Sequence, residues 1–150
     1  MPTHNRLILL VEDDPDDAYL IVRTFGKANP LNKVVVVGDG VLALDFLFAQ
    51  GAYADRAAAT PPALVLLDLK LPRMGGFEVL RAMRENEKTK FIPVVVITSS
   101  KEESDSVKSF DLGANRFLQK SANFANFAQA IQTLGLYWLV LEKPEPEAPK

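Results

Sequence analysis

The sequence predicts an α/β protein: a doubly wound parallel sheet held between helical layers. Five short runs recur along the chain, at 6–11, 33–37, 63–68, 92–97 and 115–119, and the first four are rich in Val, Ile and Leu. None alternates apolar with polar residues, which is the pattern of strands buried on both faces of a parallel sheet. Segments of helical period separate them, and five β–α units with right-handed crossovers build a three-layer sandwich. A further observation is positional. The first run ends on Glu12-Asp13-Asp14, the third on Asp68, the fourth on Thr98 and the fifth on Lys120.

The elements follow in order. After the first strand, Ala18, Ile21, Val22 and Phe25 form one helical stripe. Asp14 suits its N-cap and Pro15 its first turn, while Asn29-Pro30 stops it. Asp39-Gly40 follows the second strand. Residues 49–62, small and polar, read as a long connection. Leu64-Val65-Leu66-Leu67 then runs into Asp68 and the loop Leu69-Lys70-Leu71-Pro72-Arg73-Met74-Gly75-Gly76. Ser100 with Glu103 reads as a capping box opening the fourth connecting helix. The last helix carries Phe124, Phe127, Ala128, Ile131 and Leu134 on its core stripe, and Leu136 to Leu141 is apolar on all sides. One domain is expected over 5–141, with 142–150, alternating Pro, Glu and Lys, a disordered tail.

The chain has 150 residues, enough for one domain that buries most of its unfolded surface. A net charge of −2 leaves no electrostatic footprint for nucleic acid. The absence of cysteine excludes disulfides and thiolate metal sites. Residues 1–6 carry no long apolar stretch, so no signal peptide is expected, and no stretch approaches the roughly 20 apolar residues that span a bilayer. The expected compartment is the cytoplasm, without membrane attachment.

Strand ends are where parallel α/β sheets bind ligands. An acidic pair, a lone carboxylate, a hydroxyl and an ammonium converging there make a phosphoryl-transfer site. Asp68 would attack a phosphoryl group that already carries negative charge, and a hard divalent cation, Mg²⁺ or Mn²⁺, must neutralise the approach. Glu12, Asp13 and Asp68 would hold that cation. Lys120 would pair with the transferred phosphoryl as a point charge, and Thr98 would donate a hydrogen bond to it. Each residue has a plainer explanation too. Acidic residues before a helix favour its dipole, Asp68 could be a turn residue, Lys120 a solvated lysine and Thr98 a strand residue. Asp14, Asp16 and Asp17 read as cap and first-turn residues. Four independent plain explanations would all have to place polar groups at strand ends.

The combination resembles the receiver domain of bacterial response regulators over roughly residues 5 to 135. The intervals from Asp68 to Thr98 and from Thr98 to Lys120 are those usual in receivers. Asp39-Gly40 with Ala43-Leu44, the 71–76 loop and Gly113-Ala114 also match the family's pattern. The resemblance implies a flavodoxin-like fold with strand order 2-1-3-4-5, the Lys70 backbone carbonyl as a metal ligand, and Thr98 and Phe117 as a switch pair. Phe117 cannot hydrogen-bond through its ring, so its coupling to Thr98 is steric. Ser121 follows Lys120 where receivers carry proline with a cis bond. A cis non-proline bond costs about 2.5–4 kcal/mol, which leaves that bond's geometry open.

Lys-Ser in place of Lys-Pro, the closing Trp138 and a lone receiver resemble the regulators that partner phytochrome-type sensor histidine kinases. The function implied is a stand-alone acceptor of a phosphoryl group that signals by protein–protein contact and is not an enzyme. The single histidine, His4, precedes the first strand and offers no kinase site. An aspartyl phosphatase is the rival, but its second carboxylate would stand at Lys70. A phosphorylation-independent interaction module is a further alternative, and no Gly-rich loop supports a nucleotide binder. The apolar 136–141 segment suggests a homodimer with Tyr137, Trp138 and Leu141 at its interface.

Overall fold

The computed structural model describes residues 6–28, 32–56, 61–98, 116–120, 125, 126, 128–130, 132 and 133. The elements run β1 (Arg6–Val11), α1 (Pro15–Ala28), β2 (Asn32–Val37), α2 (Gly40–Phe48), a 3₁₀ helix (Gly51–Arg56), β3 (Leu64–Asp68), α3 (Gly76–Arg84), β4 (Val94–Thr98) and β5 (Arg116–Gln119). The five strands form one sheet in the order β2-β1-β3-β4-β5, with every neighbouring pair parallel. The strands fall within two residues of their expected bounds. β4 starts at Val94 rather than 92 because Pro93 has no N–H to give a ladder. It also takes in Thr98.

The non-alternating runs have the cause expected of them. Along β1, Ile8 and Leu10 pack with α1 residues Ala18, Ile21 and Phe25 on one face of the sheet. Leu9 and Val11 pack with Ala43 and Phe46 of α2 and with Val79, Leu80 and Met83 of α3 on the other. Alternate side chains point to opposite faces, and both faces are covered, so each position must be apolar. Every residue of β3 and β4 is buried. Ala128 and Ala130 pack against the α1 side of the sheet. Phe25 is fully buried there; truncating such a side chain to alanine typically costs about 3–5 kcal/mol.

Local signals set the helix ends. Asp14 Oδ1 accepts from the amides of Asp16 and Asp17 at 2.9 and 3.1 Å, which makes it the N-cap, with Pro15 at the first helical position. Asp39 Oδ1 caps α2 by accepting from Leu42 N at 2.8 Å. Within the 49–62 connection, residues 51–56 form a 3₁₀ helix that their small, polar composition does not suggest. Ala49 and Gly51 take left-handed φ of 53° and 54° and turn the chain into the 3₁₀ helix. There the Tyr53 ring meets the Phe46 ring edge-on at 5.1 Å. The Arg56 guanidinium stacks 3.7 Å from the same Phe46 ring, so α2 supplies a platform that the polar sequence conceals.

Several expected features lie outside the described residues: Asn29-Pro30, the Ser100/Glu103 cap, Ser121, the side chain of Phe117, and residues Phe124, Phe127, Ile131, Leu134, Tyr137, Trp138 and Leu141 with the 142–150 tail. No helix among the described residues is long and apolar enough to cross a membrane.

Candidate functional site

Register brings the chemistry together. Val11 pairs with Leu67, so Glu12, one residue further on, comes alongside Asp68. Asp68 pairs with Ile97 and Thr98 with Gln119, which places Lys120 one step beyond. Glu12 extends the ladder by donating its backbone N–H to Val37 O at 3.0 Å. Lys120 N likewise donates to Thr98 O at 2.7 Å. Glu12 and Lys120 are therefore anchored by sheet hydrogen bonds on their own backbones, and Asp68 and Thr98 close strands β3 and β4, which positions all four more rigidly than a loop would.

Glu12 and Asp68 are buried, and Asp13 is exposed. Ligand oxygens of Glu12, Asp13 and Asp68 all lie within 4.8 Å of one another. Lys120 Nζ sits against this group, 2.9 Å from Asp68 Oδ2 and 3.1 Å from Glu12 Oε2. Asp68 Oδ1 accepts from Lys70 N at 3.0 Å, so both carboxylate oxygens are held in a fixed orientation. Glycine 76 lets α3 begin against this turn. A Cβ there would lie 2.2 Å from Asp68 O and 2.8 Å from Leu69 Cα. Thr98 is buried at the end of β4.

The electrostatics follow from the crowding. Burial, then the neighbouring Asp68 carboxyl, pushes the Glu12 pKa up to about 8, against the Asp14 amide and Lys120, which favour its charge. Burial alone would lower the Lys120 pKa, but hydrogen bonds to Asp17, Asp68 and Glu12 outweigh it and raise it. The ammonium stands in the middle of the carboxylates as their counter-ion.

A divalent metal fits these residues on two counts. Three carboxylates converge with one ammonium among them, a hard oxygen donor set that suits such an ion. Glu12 Oε1 is buried with no hydrogen-bond partner, and once the carboxyl gives up its proton this oxygen is an uncompensated acceptor that a cation would satisfy.

One residue escaped the sequence reading. Asp17, taken as a first-turn residue, also forms an ion pair with Lys120 Nζ at 2.9 Å. Helical side chains lean toward the helix N-terminus, and for α1 that end is the site. The available signal was a carboxylate in the first turn of a helix that starts directly after the acidic pair.

Residues 8–132 match the family model described as response regulator receiver domain. Response regulator Rcp1 of Synechocystis sp. is 37% identical over 134 residues, covering 89% of each chain. The solved phosphorylated cyanobacterial phytochrome response regulator RcpA superposes with a TM-score of 0.83 at 36% identity, covering 97% of this chain and all of that one. The Mn²⁺-bound form of Rcp1 gives 0.82 at 36% identity, covering 95% and 99%. Matching sheet order, a lysine-neutralised carboxylate cluster and similarity along nearly the whole chain agree, and the protein belongs to the response regulator receiver family.

Proposed function

We propose that Asp68 accepts a phosphoryl group from the phosphohistidine of a sensor histidine kinase. The observation that carries this is the Asp68 carboxylate at the end of the central strand β3, 2.9 Å from Lys120 Nζ and clustered with Glu12 and Asp13. An Asp68 oxygen attacks phosphorus, the P–N bond breaks, and imidazole leaves with its electron pair. Lys120 offsets the charge that gathers on the phosphoryl oxygens. Thr98 donates a hydrogen bond from its hydroxyl to one of them.

Mg²⁺ is the ion we assign to Glu12, Asp13, Asp68 and the Lys70 carbonyl; it would supply charge neutralisation between two anions. Asp13, exposed to solvent, suits an ion that keeps several waters. The chain is read as an acceptor with slow self-dephosphorylation and no catalytic turnover. Similarity to the cyanobacterial phytochrome response regulator RcpA favours a phytochrome-type kinase as partner. Signalling would follow from Thr98 moving toward the phosphoryl and Phe117 repacking behind it, a shift in population between packed states. The same reading includes a homodimer through Tyr137, Trp138 and Leu141.

Incubation with a small acyl phosphate and Mg²⁺ tests the acceptor. One hydroxylamine-labile phosphoryl per chain is expected in wild type and none in Asp68→Asn. Equal labelling of the two would sink the assignment.

A further inference from the structure

Lys120 has three N–H bonds to donate, and three carboxylates receive them: Asp17 at 2.9 Å, Asp68 at 2.9 Å and Glu12 at 3.1 Å. The three partners are not equivalent. The side chains of Glu12 and Asp68 are 0% and 3% exposed and belong to the proposed cation cluster, whereas Asp17 is 27% exposed and lies outside it. It sits on another element, the first turn of α1, whose backbone is fixed by the Asp14 cap. We propose that Asp17 is a positioning residue: the seat that retains Lys120 when a divalent cation takes over Glu12 and Asp68.

The reason is charge. An ammonium and a dication cannot both occupy the space between carboxylates whose oxygens lie within 4.8 Å of one another, since like charges at that range repel strongly. Lys120 must release Glu12 Oε2 and Asp68 Oδ2. Without another anion in reach, it would compete with the incoming cation or swing into solvent, away from the phosphoryl. Asp17 gives it a third position at hydrogen-bond distance, so it yields the carboxylates while its Nζ stays beside Asp68. Asp17 thereby eases metal entry and keeps the lysine close for the later step.

This inference rests on the proposed metal cluster, and a double-mutant cycle separates the two. Mg²⁺ affinity is measured by calorimetry for wild type, Asp17→Asn, Lys120→Met and the double variant, with Asp13→Ala as control. Asp17→Asn should weaken Mg²⁺ in the presence of Lys120. Removing Lys120 should abolish most of that loss, leaving a coupling of roughly threefold or more, the range found for groups in contact. Equal effects of Asp17→Asn with and without Lys120 would overturn the seat and leave only general attraction by charge. If Asp13→Ala binds Mg²⁺ like wild type, the cluster reading itself fails. Thermal melts of the metal-free variants report folding, and an Asp17→Glu variant should recover part of the affinity if a carboxylate within reach is what matters.

Discussion

Arg73 grips Asp39 with Nε 2.9 Å from Oδ2 and Nη2 3.2 Å from Oδ1. The pair ties the loop after β3 to the start of α2. Asp39 does a second job there, since the same Oδ1 caps α2 through Leu42 N. Arg73 stands at φ 66°, a left-handed conformation that costs a non-glycine residue about 1–3 kcal/mol.

The two partners should therefore respond differently to substitution. Asp39→Ala loses cap and pair and should destabilise by about 1–2 kcal/mol. Arg73→Ala loses only a half-exposed pair, under about 1 kcal/mol. Arg73→Gly also relieves the backbone and should fall close to wild type. Urea unfolding midpoints decide it, and equal losses for Asp39→Ala and Arg73→Ala would show that the cap contributes nothing.

Gly76→Ala should damage both stability and the site. The added Cβ meets backbone atoms, Asp68 O and Leu69 Cα, which cannot rotate away. Overpacking of this kind costs about 1–3 kcal/mol, and relief requires α3 or the Asp68 turn to shift. Phosphorylation by a small donor should slow in step with the lower urea midpoint. A variant as stable and as fast as wild type would mean that the turn has room to spare.

The raised Glu12 pKa makes two pH effects predictable. Its folded value, about 8, lies above the ordinary 4.5, so the metal-free fold holds this proton more tightly than the unfolded chain does. Stability from Glu12 is full below pH 4.5 and declines as pH climbs through 8. Cation binding needs the carboxylate, so Mg²⁺ affinity should rise over the same interval, with up to about one proton released per ion at pH 7. Calorimetry in buffers of different ionisation enthalpy counts that proton. Glu12→Gln should remove both the release and the Glu12 share of the stability slope, and an unchanged proton count in that variant would place the titration elsewhere.

The dimer assignment predicts that Tyr137→Ala/Trp138→Ala, and truncation after Gly135, convert a dimer to a monomer in sedimentation at tens of micromolar. Burial of each large apolar side chain is worth about 1.5–3 kcal/mol, and two-fold symmetry counts it twice. A wild type that sediments as a monomer under the same conditions, with or without phosphorylation, removes the interface.

The sequence by itself determined the strands, their burial, the cap of α1, and the four polar strand ends. These depend on neighbours in the chain or on a two-faced apolar environment that leaves its mark on every residue, as in Leu64 to Leu67. Strand order and the receiver reading came through family likeness, because periodicity cannot say which strand lies beside which. Only the tertiary structure decided that Asp17 reaches Lys120, that Arg73 reaches Asp39, and that Tyr53 and Arg56 close over Phe46. Those contacts join residues from different elements, and a charged side chain in a first turn or a loop reads the same whether it faces water or a partner. The Glu12 pKa belongs to the same class: its cause is burial beside Asp68, and that burial exists only once β1 and β3 lie side by side.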